Sequence, residues 1–231
     1  MDLPSLSNRL IACCSFVKPN SRVADVGCDH GYLGIYLLKK GVADFVYAAD
    51  INCGPLDSAK QNARKYGTSD KMSFYLSAGV YQVPQDFDTL VCAGMGADTI
   101  ISILDDAPWL KNENYRLILQ CQSRRPELRK YLYAQGYCII SETLAQDGKF
   151  IYPIMEVIYR PSPPLTLGGY HISPALLNSG SPLLGAFYQR VMEGLSATIK
   201  GLCHSGEEKL KYYEAVYNEL KQLEDKIHGN C

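Results

Sequence analysis

The stretch RVADVGCDHGYLGIYLLKKG, Arg22 to Gly41, passes from β-branched apolar residues into a glycine turn and then into a leucine-rich run. That order predicts a strand, a tight turn and a helix. Gly27 and Gly31 remove side chains where the strand gives way to the helix, which lets a small ligand approach bare backbone. The stretch therefore predicts a ligand site at the end of the first strand of an α/β sheet. The alternative is that both glycines serve only the turn and the packing of the helix, and that no ligand binds there.

Apolar runs of strand length alternate with segments of helical period as far as Tyr159. This alternation predicts βαβ units in a mainly parallel sheet. The predicted strands are Arg22–Val26, Phe45–Ala49, Met72–Leu76, Thr89–Ala93, Leu117–Gln120, Tyr137–Thr143 and Phe150–Ile158. The predicted helices are Ser5–Phe16, capped by Ser5 or Ser7, then Gly31–Lys40, Pro55–Tyr66, Ala97–Ala107 and Arg125–Gln135.

The last two predicted strands are separated only by LAQDGK, in which Asp147-Gly148 is a hairpin-turn signal. The sheet is therefore expected to end in an antiparallel strand. We predict a Rossmann-like domain over residues 1–160, a proline- and glycine-rich linker over 161–173 with few contacts across it, and an antiparallel helical hairpin of coiled-coil type over 174–231.

The composition argues for a globular protein without a strongly charged partner surface. The chain has 231 residues, 47% of them hydrophobic, and a net charge of -1. Nine cysteines without a signal-peptide pattern indicate reduced thiols and a cytoplasmic location. The apolar run near the N-terminus is too short to span a bilayer, so no membrane partner is expected.

The glycine turn differs from that of a nicotinamide site. The G-x-G-x-x-G pattern rests a pyrophosphate on the helix N-terminus, but Asp29 stands where the middle glycine belongs and would repel that phosphate. An acid there favours a cationic or zwitterionic ligand, and S-adenosylmethionine fits. Asp50, about 20 residues beyond the turn, is positioned to take ribose hydroxyls. The alternative for Asp50 is that it caps the helix near Pro55, and the alternative for His30 is that it simply begins a helix.

The fourth predicted strand ends in VCAGMGAD, where Gly94 and Gly96 would let a planar base approach the backbone. Methyltransferases that act on exocyclic amines place an Asn/Asp-Pro-Pro-aromatic tetrapeptide here. Ala93, Gly94, Met95 and Gly96 offer no such side-chain acceptor. A ring nitrogen with a free lone pair needs no deprotonation, so the motif favours that kind of methyl acceptor.

These motifs resemble the bacterial tRNA (adenine-22-N1)-methyltransferases over nearly the whole chain. The matching stretches are LSNRLIACCSFV, ADVGCDHGYLGIYL, CGPLDSAKQNA, VCAGMGADTIISIL, LILQCQSRRPELRKYLYAQGY and GKFIYPIMEV. The resemblance implies a Rossmann-like methyltransferase domain followed by a helical hairpin that helps to grip tRNA. The oligomeric state stays open, because the hairpin's spacing also suits oligomerisation.

The resemblance and the motif chemistry together give the expected site. The expected cofactor-binding residues are Asp25, Gly27, Cys28, Asp29, Gly31, Asp50, Ile51, Ala78, Gly79, Ala93, Gly94, Met95 and Gly96. The expected catalytic residues are Asp29, which stabilises the charge of the methylated base, His30, which orients Asp29, and Tyr32, which closes the wall. Arg124 and Arg125 are expected near tRNA phosphates, although both could lie on a solvated helix start.

The chain also departs from the family pattern. It has Ser77-Ala78-Gly79 in place of Gly-Asp-Gly, Gln120-Cys121-Gln122 in place of Gln-Pro-Asn, and Ala97 in place of a second glycine. Cys28 and Gly31 stand where serine and alanine are common. These changes keep two alternatives open: a methyltransferase of the same fold with another RNA or a small-molecule acceptor, and a catalytically silent RNA-binding protein.

No metal site is expected. Cys28, Cys53, Cys92 and Cys121 all fall at the carboxyl ends of predicted strands. The four strands would lie side by side at about 4.8 Å per step, so the outer pair would be about 14 Å apart, too far for one zinc ion.

Overall fold

The computed structural model describes residues 3–202, 207–224 and 227. Seven strands form one sheet: β1 (Ser21–Val26), β2 (Ala43–Asp50), β3 (Met72–Leu76), β4 (Thr89–Met95), β5 (Arg116–Cys121), β6 (Tyr137–Asp147) and β7 (Phe150–Tyr159). The α-helices are α1 (Asn8–Ser15), α2 (Tyr32–Lys39), α3 (Cys53–Tyr66), α4 (Ala97–Asp105), α5 (Arg125–Ala134), α6 (Pro174–Leu177), α7 (Leu184–Leu202) and α8 (Glu207–Lys221).

The sheet has the strand order β3-β2-β1-β4-β5-β7-β6. Strands β1 to β5 pair in parallel, and β7 lies antiparallel between β5 and β6. The predicted Rossmann-like sheet with an antiparallel last strand is confirmed. The strand order reverses between β1 and β4, and open α/β sheets bind ligands beside such a switch point, outside the carboxyl ends of the strands.

Successive residues of the central strands face opposite helical layers, as the pleat requires. In β1, Val23 packs in a core with residues of α1, α2 and α3, whereas Ala24 packs in a core with residues of α4 and α5. Both side chains are fully buried. The two apolar layers hold β1 rigidly, so the turn that follows Val26 projects from a fixed base.

The C-terminal helices share a third core with the tip of the β6–β7 hairpin. Leu144 and Ile151 pack with Leu176 and Phe187 in this core. The Tyr188 hydroxyl donates to the Leu220 carbonyl at 3.4 Å and joins the start of α7 to the end of α8, as an antiparallel helical hairpin requires. Residues 203–206, between α7 and α8, lie outside the described residues.

A buried ion pair also joins the sheet to the segment before α6. The Arg129 guanidinium of α5 contacts the Glu142 carboxylate of β6, and both side chains are 0% exposed. Arg129 also donates to the Tyr170 carbonyl, while Glu142 accepts the Ser173 hydroxyl. The expectation of few contacts across residues 161–173 is therefore wrong, because a buried acid needs partners and finds them there. The domain division itself stays a prediction.

In the part of the chain that the structure describes, every helix is too short or too polar to span a lipid bilayer.

Candidate functional site

Two cavities lie at the switch point and share Gly27. The larger, of about 460 Å³, has a mostly apolar wall; the smaller, of about 240 Å³, is lined by charged and polar side chains. Gly27 adopts φ 69°, a conformation that L side chains rarely take. A Cβ atom on Gly27 would lie 2.4 Å from the Met95 methyl carbon, which is the movable end of a flexible side chain, so the positive φ is what favours glycine where the two cavities meet.

The larger cavity carries one carboxylate at the end of β2. Asp50 is 9% exposed, and its carboxylate accepts the backbone N–H groups of Asp29 at 3.3 Å and of Asn52 at 2.9 Å. Ile51 follows at the rim with 69% of its surface exposed, which is unusual for an isoleucine. A further wall, which the sequence analysis missed, comes from α4 and the residue that follows it, and its members are Asp98, Thr99, Ser102, Ile103 and Asp106.

The smaller cavity combines acids with one guanidinium. It is lined by Arg9, Leu10, Asp25, Gly27, Cys28, Asp29, His30, Tyr32, Leu33, Ala93 and Gly94. Asp29 adopts φ 50°, a strained conformation for a residue with a side chain, and strain of this kind collects at functional sites. His30 Nε2 lies 3.5 Å from Asp29 Oδ1, so the two side chains are close enough to interact.

Asp25 lies at the base of the smaller cavity with an unusual proton affinity. Burial raises the pKa of its carboxyl to about 7, and a hydrogen bond from the Gly34 backbone offsets part of the rise. Its Oδ2 atom is buried and has no hydrogen-bond partner among the described residues. A buried acceptor without a partner is costly, and a ligand ammonium group in the cavity would satisfy it.

Arg9 is the main residue that sequence reasoning missed. It comes from α1, and its Nη1 atom donates to Gln120 Oε1 at 3.1 Å. Gln120 also accepts the Gly94 N–H at 3.0 Å, so its side chain connects Arg9 to the end of β4. The available signal was the stretch LSNRLIACCSFV, in which Arg9 is the one basic residue.

The structure gives two predicted residues packing roles instead of places on the cavity walls. Gly31 precedes α2 with φ 71°, and a Cβ atom there would lie 2.9 Å from Ala59 Cβ, so Gly31 lets α2 and α3 approach. Gly96 caps α4, and a Cβ atom there would lie 3.1 Å from Ser123 Oγ. The other expected cofactor-binding residues, Ala78 and Gly79 included, line one cavity or both.

The two arginines expected near RNA have different surroundings. Arg124 is exposed and forms a two-pronged contact with Asp98, with both oxygens 2.8 Å from Nη1. Arg125 lies over the Phe187 ring, 5.3 Å from its centre, and burial lowers the pKa of its guanidinium. The structure therefore disfavours Arg125 as a phosphate contact, because its charge faces α7.

Within the described residues, no group of three or more His, Cys, Asp or Glu side chains could hold a metal ion. Cys28, Cys92 and Cys121 are buried, whereas Cys53 is exposed at the start of α3.

Comparison with known proteins identifies a family. Residues 6–155 match the family described as a methyltransferase domain. A candidate tRNA methyltransferase of Mycoplasma genitalium, MG248, is 34% identical over 162 residues, which are 68% of this chain and 71% of that protein. The tRNA (adenine(22)-N(1))-methyltransferase of Bacillus subtilis is 32% identical over 146 residues, or 62% of this chain and 61% of the relative.

Solved structures extend the likeness to the C-terminal helices. The structure of Streptococcus pneumoniae Sp1610 in complex with S-adenosyl-L-methionine has a TM-score of 0.83 and 27% identity, and the match covers 95% of this chain and 100% of that one. A Rossmann-superfamily protein of Streptococcus agalactiae has a TM-score of 0.85 and 28% identity, covering 96% and 99% of the two chains.

Proposed function

The chain belongs to the methyltransferase-domain family, and from that premise we infer that it transfers a methyl group from S-adenosylmethionine to N1 of adenine 22 in tRNA. The observation that carries the inference is the pair of cavities that meet at Gly27. One has a mainly apolar wall with the buried Asp50 carboxylate at the end of β2, and the other is lined by acids and a guanidinium. S-adenosylmethionine has the same division, with a nucleoside at one end and a zwitterionic amino acid at the other. With tRNA as its substrate, the protein is expected to act in the cytoplasm.

The residues present fit this cofactor. Asp50 would accept the ribose hydroxyls, and Ile51 would lie against the adenine ring. In the smaller cavity the orphaned Asp25 Oδ2 would accept the ammonium group, and the Arg9 guanidinium would bind the carboxylate. The opposite charges of the cavity thus match the opposite charges of an amino acid.

The cofactor supplies a sulfonium methyl group, whose carbon bonds to the adenine nitrogen while the sulfur keeps the electrons of the broken bond. Since N1 of adenine carries a free lone pair, the protein need not supply a group that removes a proton. Its residues orient the adenine and exclude water. The positive charge passes to the adenine ring, and we assign Asp29 to its stabilisation, with His30 orienting Asp29 and Tyr32 forming the wall.

We place tRNA at the mouth of this site and along the C-terminal helices. Arg124 exposes its guanidinium beside α4, where a phosphate could compete with Asp98. A groove of about 560 Å³ between α7 and α8 is lined by Lys200 and Lys221 together with Glu193 and Glu224, so it carries no net excess of positive charge. We assign phosphate contacts to the two lysines and base stacking to Tyr217 of the same groove.

The function is tested by incubating tRNA with the protein and isotopically labelled S-adenosylmethionine, followed by mass spectrometry of the nucleosides. We expect labelled 1-methyladenosine. Cofactor binding without methyl transfer to any tRNA would identify the silent RNA-binding alternative, which the departures at Ala78, Cys121 and Gln122 motivate. A different labelled nucleoside would identify another RNA acceptor.

Replacement of Asp50 by alanine is expected to weaken S-adenosylmethionine binding by roughly 1–3 kcal/mol, because the ribose hydroxyls lose a buried partner. Isothermal titration calorimetry measures the loss. Asp44→Ala is the matched control, since Asp44 lies on the same strand but is exposed near its opposite end. Equal affinity of wild type and Asp50→Ala would contradict the placement of the ribose.

The affinity for S-adenosylhomocysteine is expected to rise about ten-fold between pH 6 and pH 8. With a pKa of about 7, Asp25 is mainly protonated at pH 6 and mainly ionised at pH 8, and only the ionised form attracts an ammonium group. Methylthioadenosine lacks that group and should show no such rise. His30 lines the same cavity, so the His30→Gln variant should keep the pH dependence if Asp25 causes it, whereas Asp25→Asn should abolish it.

A further inference from the structure

Asp147, at the tip of the β6–β7 hairpin, contacts the start of α1 through both carboxylate oxygens. Oδ1 accepts the Asn8 N–H at 2.9 Å, and Oδ2 accepts the Arg9 N–H at 3.3 Å. Ser7 occupies the N-cap position of α1, but its side chain makes no capping hydrogen bond. A residue 139 positions away in the chain therefore caps this helix.

The same carboxylate faces the side chain of Arg9. Asp147 Oδ2 lies 3.7 Å from Arg9 Nε, and about a quarter of each side chain is exposed, 26% for Arg9 and 24% for Asp147. The guanidinium is thus held at two edges, since Nη1 donates to Gln120 Oε1 at 3.1 Å. Between these two contacts the Arg9 side chain lines the smaller cavity.

We propose that Asp147 is a positioning residue, which aims the Arg9 guanidinium at the carboxylate of the bound amino acid moiety. The proposal rests on the proposed function, because that moiety belongs to S-adenosylmethionine. A free arginine side chain has many rotamers, and fixing it beforehand lowers the entropy lost on binding. Asp147 contacts both the backbone N–H and the guanidinium of Arg9. Through Arg9, a residue at the tip of the β6–β7 hairpin therefore affects the affinity for the ligand.

The test compares two ligands that differ only in the group that Arg9 binds. Decarboxylated S-adenosylmethionine keeps the nucleoside, the sulfonium and the amine but has no carboxylate. The Asp147→Asn variant keeps one capping oxygen and loses the charge. It should raise the Kd of S-adenosylmethionine about ten-fold and leave the Kd of the decarboxylated ligand unchanged. Arg9→Met should show the same selective loss.

A double variant tests whether Asp147 acts through Arg9. In the Arg9→Met background, Asp147→Asn should have no further effect on the Kd of S-adenosylmethionine. Asn8→Ala is the matched control, because the Asn8 side chain ties the same helix to the Gln146 carbonyl at 2.8 Å without involving the carboxylate. It should leave the ratio of the two dissociation constants unchanged.

Each outcome separates this proposal from the proposed function. Equal weakening of both ligands by Asp147→Asn would show a purely structural role and overturn the proposal, while the wild-type affinity for S-adenosylmethionine would still support the function. Additive losses in the double variant would also overturn it. If the wild-type protein binds neither ligand, the proposed function fails, and this inference fails with it.

Discussion

Replacement of Arg129 by methionine is expected to lower the free energy of unfolding by about 3–5 kcal/mol. The variant leaves the Glu142 carboxylate fully buried without its cation, and among the described residues the Ser173 hydroxyl is the one side-chain partner that it keeps. An uncompensated charge in the interior costs far more than an exposed ion pair contributes. Urea denaturation followed by circular dichroism and fluorescence measures the difference.

The exposed arginine of the same region provides the control. Arg124→Met breaks a surface ion pair with Asp98 and should change stability by less than about 1 kcal/mol. The double variant Arg129→Met/Glu142→Gln should be more stable than Arg129→Met alone, because the amide carries no charge. A loss below about 1 kcal/mol in Arg129→Met would contradict the prediction, because it would show that the Glu142 carboxylate does not depend on Arg129.

Deletion of residues 181–231 is expected to lower kcat/KM for tRNA roughly 100-fold, the effect of removing two charge-assisted hydrogen bonds to phosphates. The affinity for S-adenosylhomocysteine should stay close to that of the full chain, because both cavities at Gly27 lie outside the deleted segment. The cut keeps Ser173 and Leu176, which are fully buried against the sheet. Methylation of tRNA at sub-saturating concentration, with calorimetry of ligand binding, measures both effects.

The deletion uncovers Leu144 and Ile151, so a variant with the complete fold is needed beside it. Lys200→Ala/Lys221→Ala removes two cations of the α7–α8 groove. The slope of log affinity against log salt should fall by about 1 for each phosphate that no longer binds a lysine. If both variants methylate tRNA at the wild-type rate, the C-terminal helices do not bind tRNA, and the hairpin would be assigned to self-association, measured by analytical ultracentrifugation.

The sheet could be predicted from local patterns because each strand is a short apolar run between turn residues. The predicted and observed bounds of Met72–Leu76 are identical. The largest difference is in β6, predicted to end at Thr143 and observed to Asp147. Gln146 and Asp147 resemble turn residues in the sequence, but they continue the ladder by pairing with Ile151 and Phe150.

The missed features all depend on contacts between distant parts of the chain. Of the two predicted capping residues, Ser5 and Ser7, Ser7 occupies the N-cap position of α1 but makes no capping hydrogen bond. The capping oxygen comes from Asp147, and local propensity carries no information about such a partner. In the sequence, Glu142 likewise resembles an exposed strand residue. In the structure it is buried, and Arg129 and Ser173 are its partners. The proline-rich composition of residues 161–173 predicts the local conformation of that segment, but it does not predict which parts of the chain the segment contacts.

The long-range cap of α1 has a consequence for how the protein forms on the ribosome. An isolated helix of eight residues is unstable in water, so α1 has little reason to persist when it first leaves the exit tunnel. Its amides find Asp147 only after the β6–β7 hairpin has been synthesised, and contacts of such high sequence separation form late. Arg9 therefore gains its contacts with Asp147 only after all five parallel strands have been synthesised, and the nascent chain has no complete ligand site before that point.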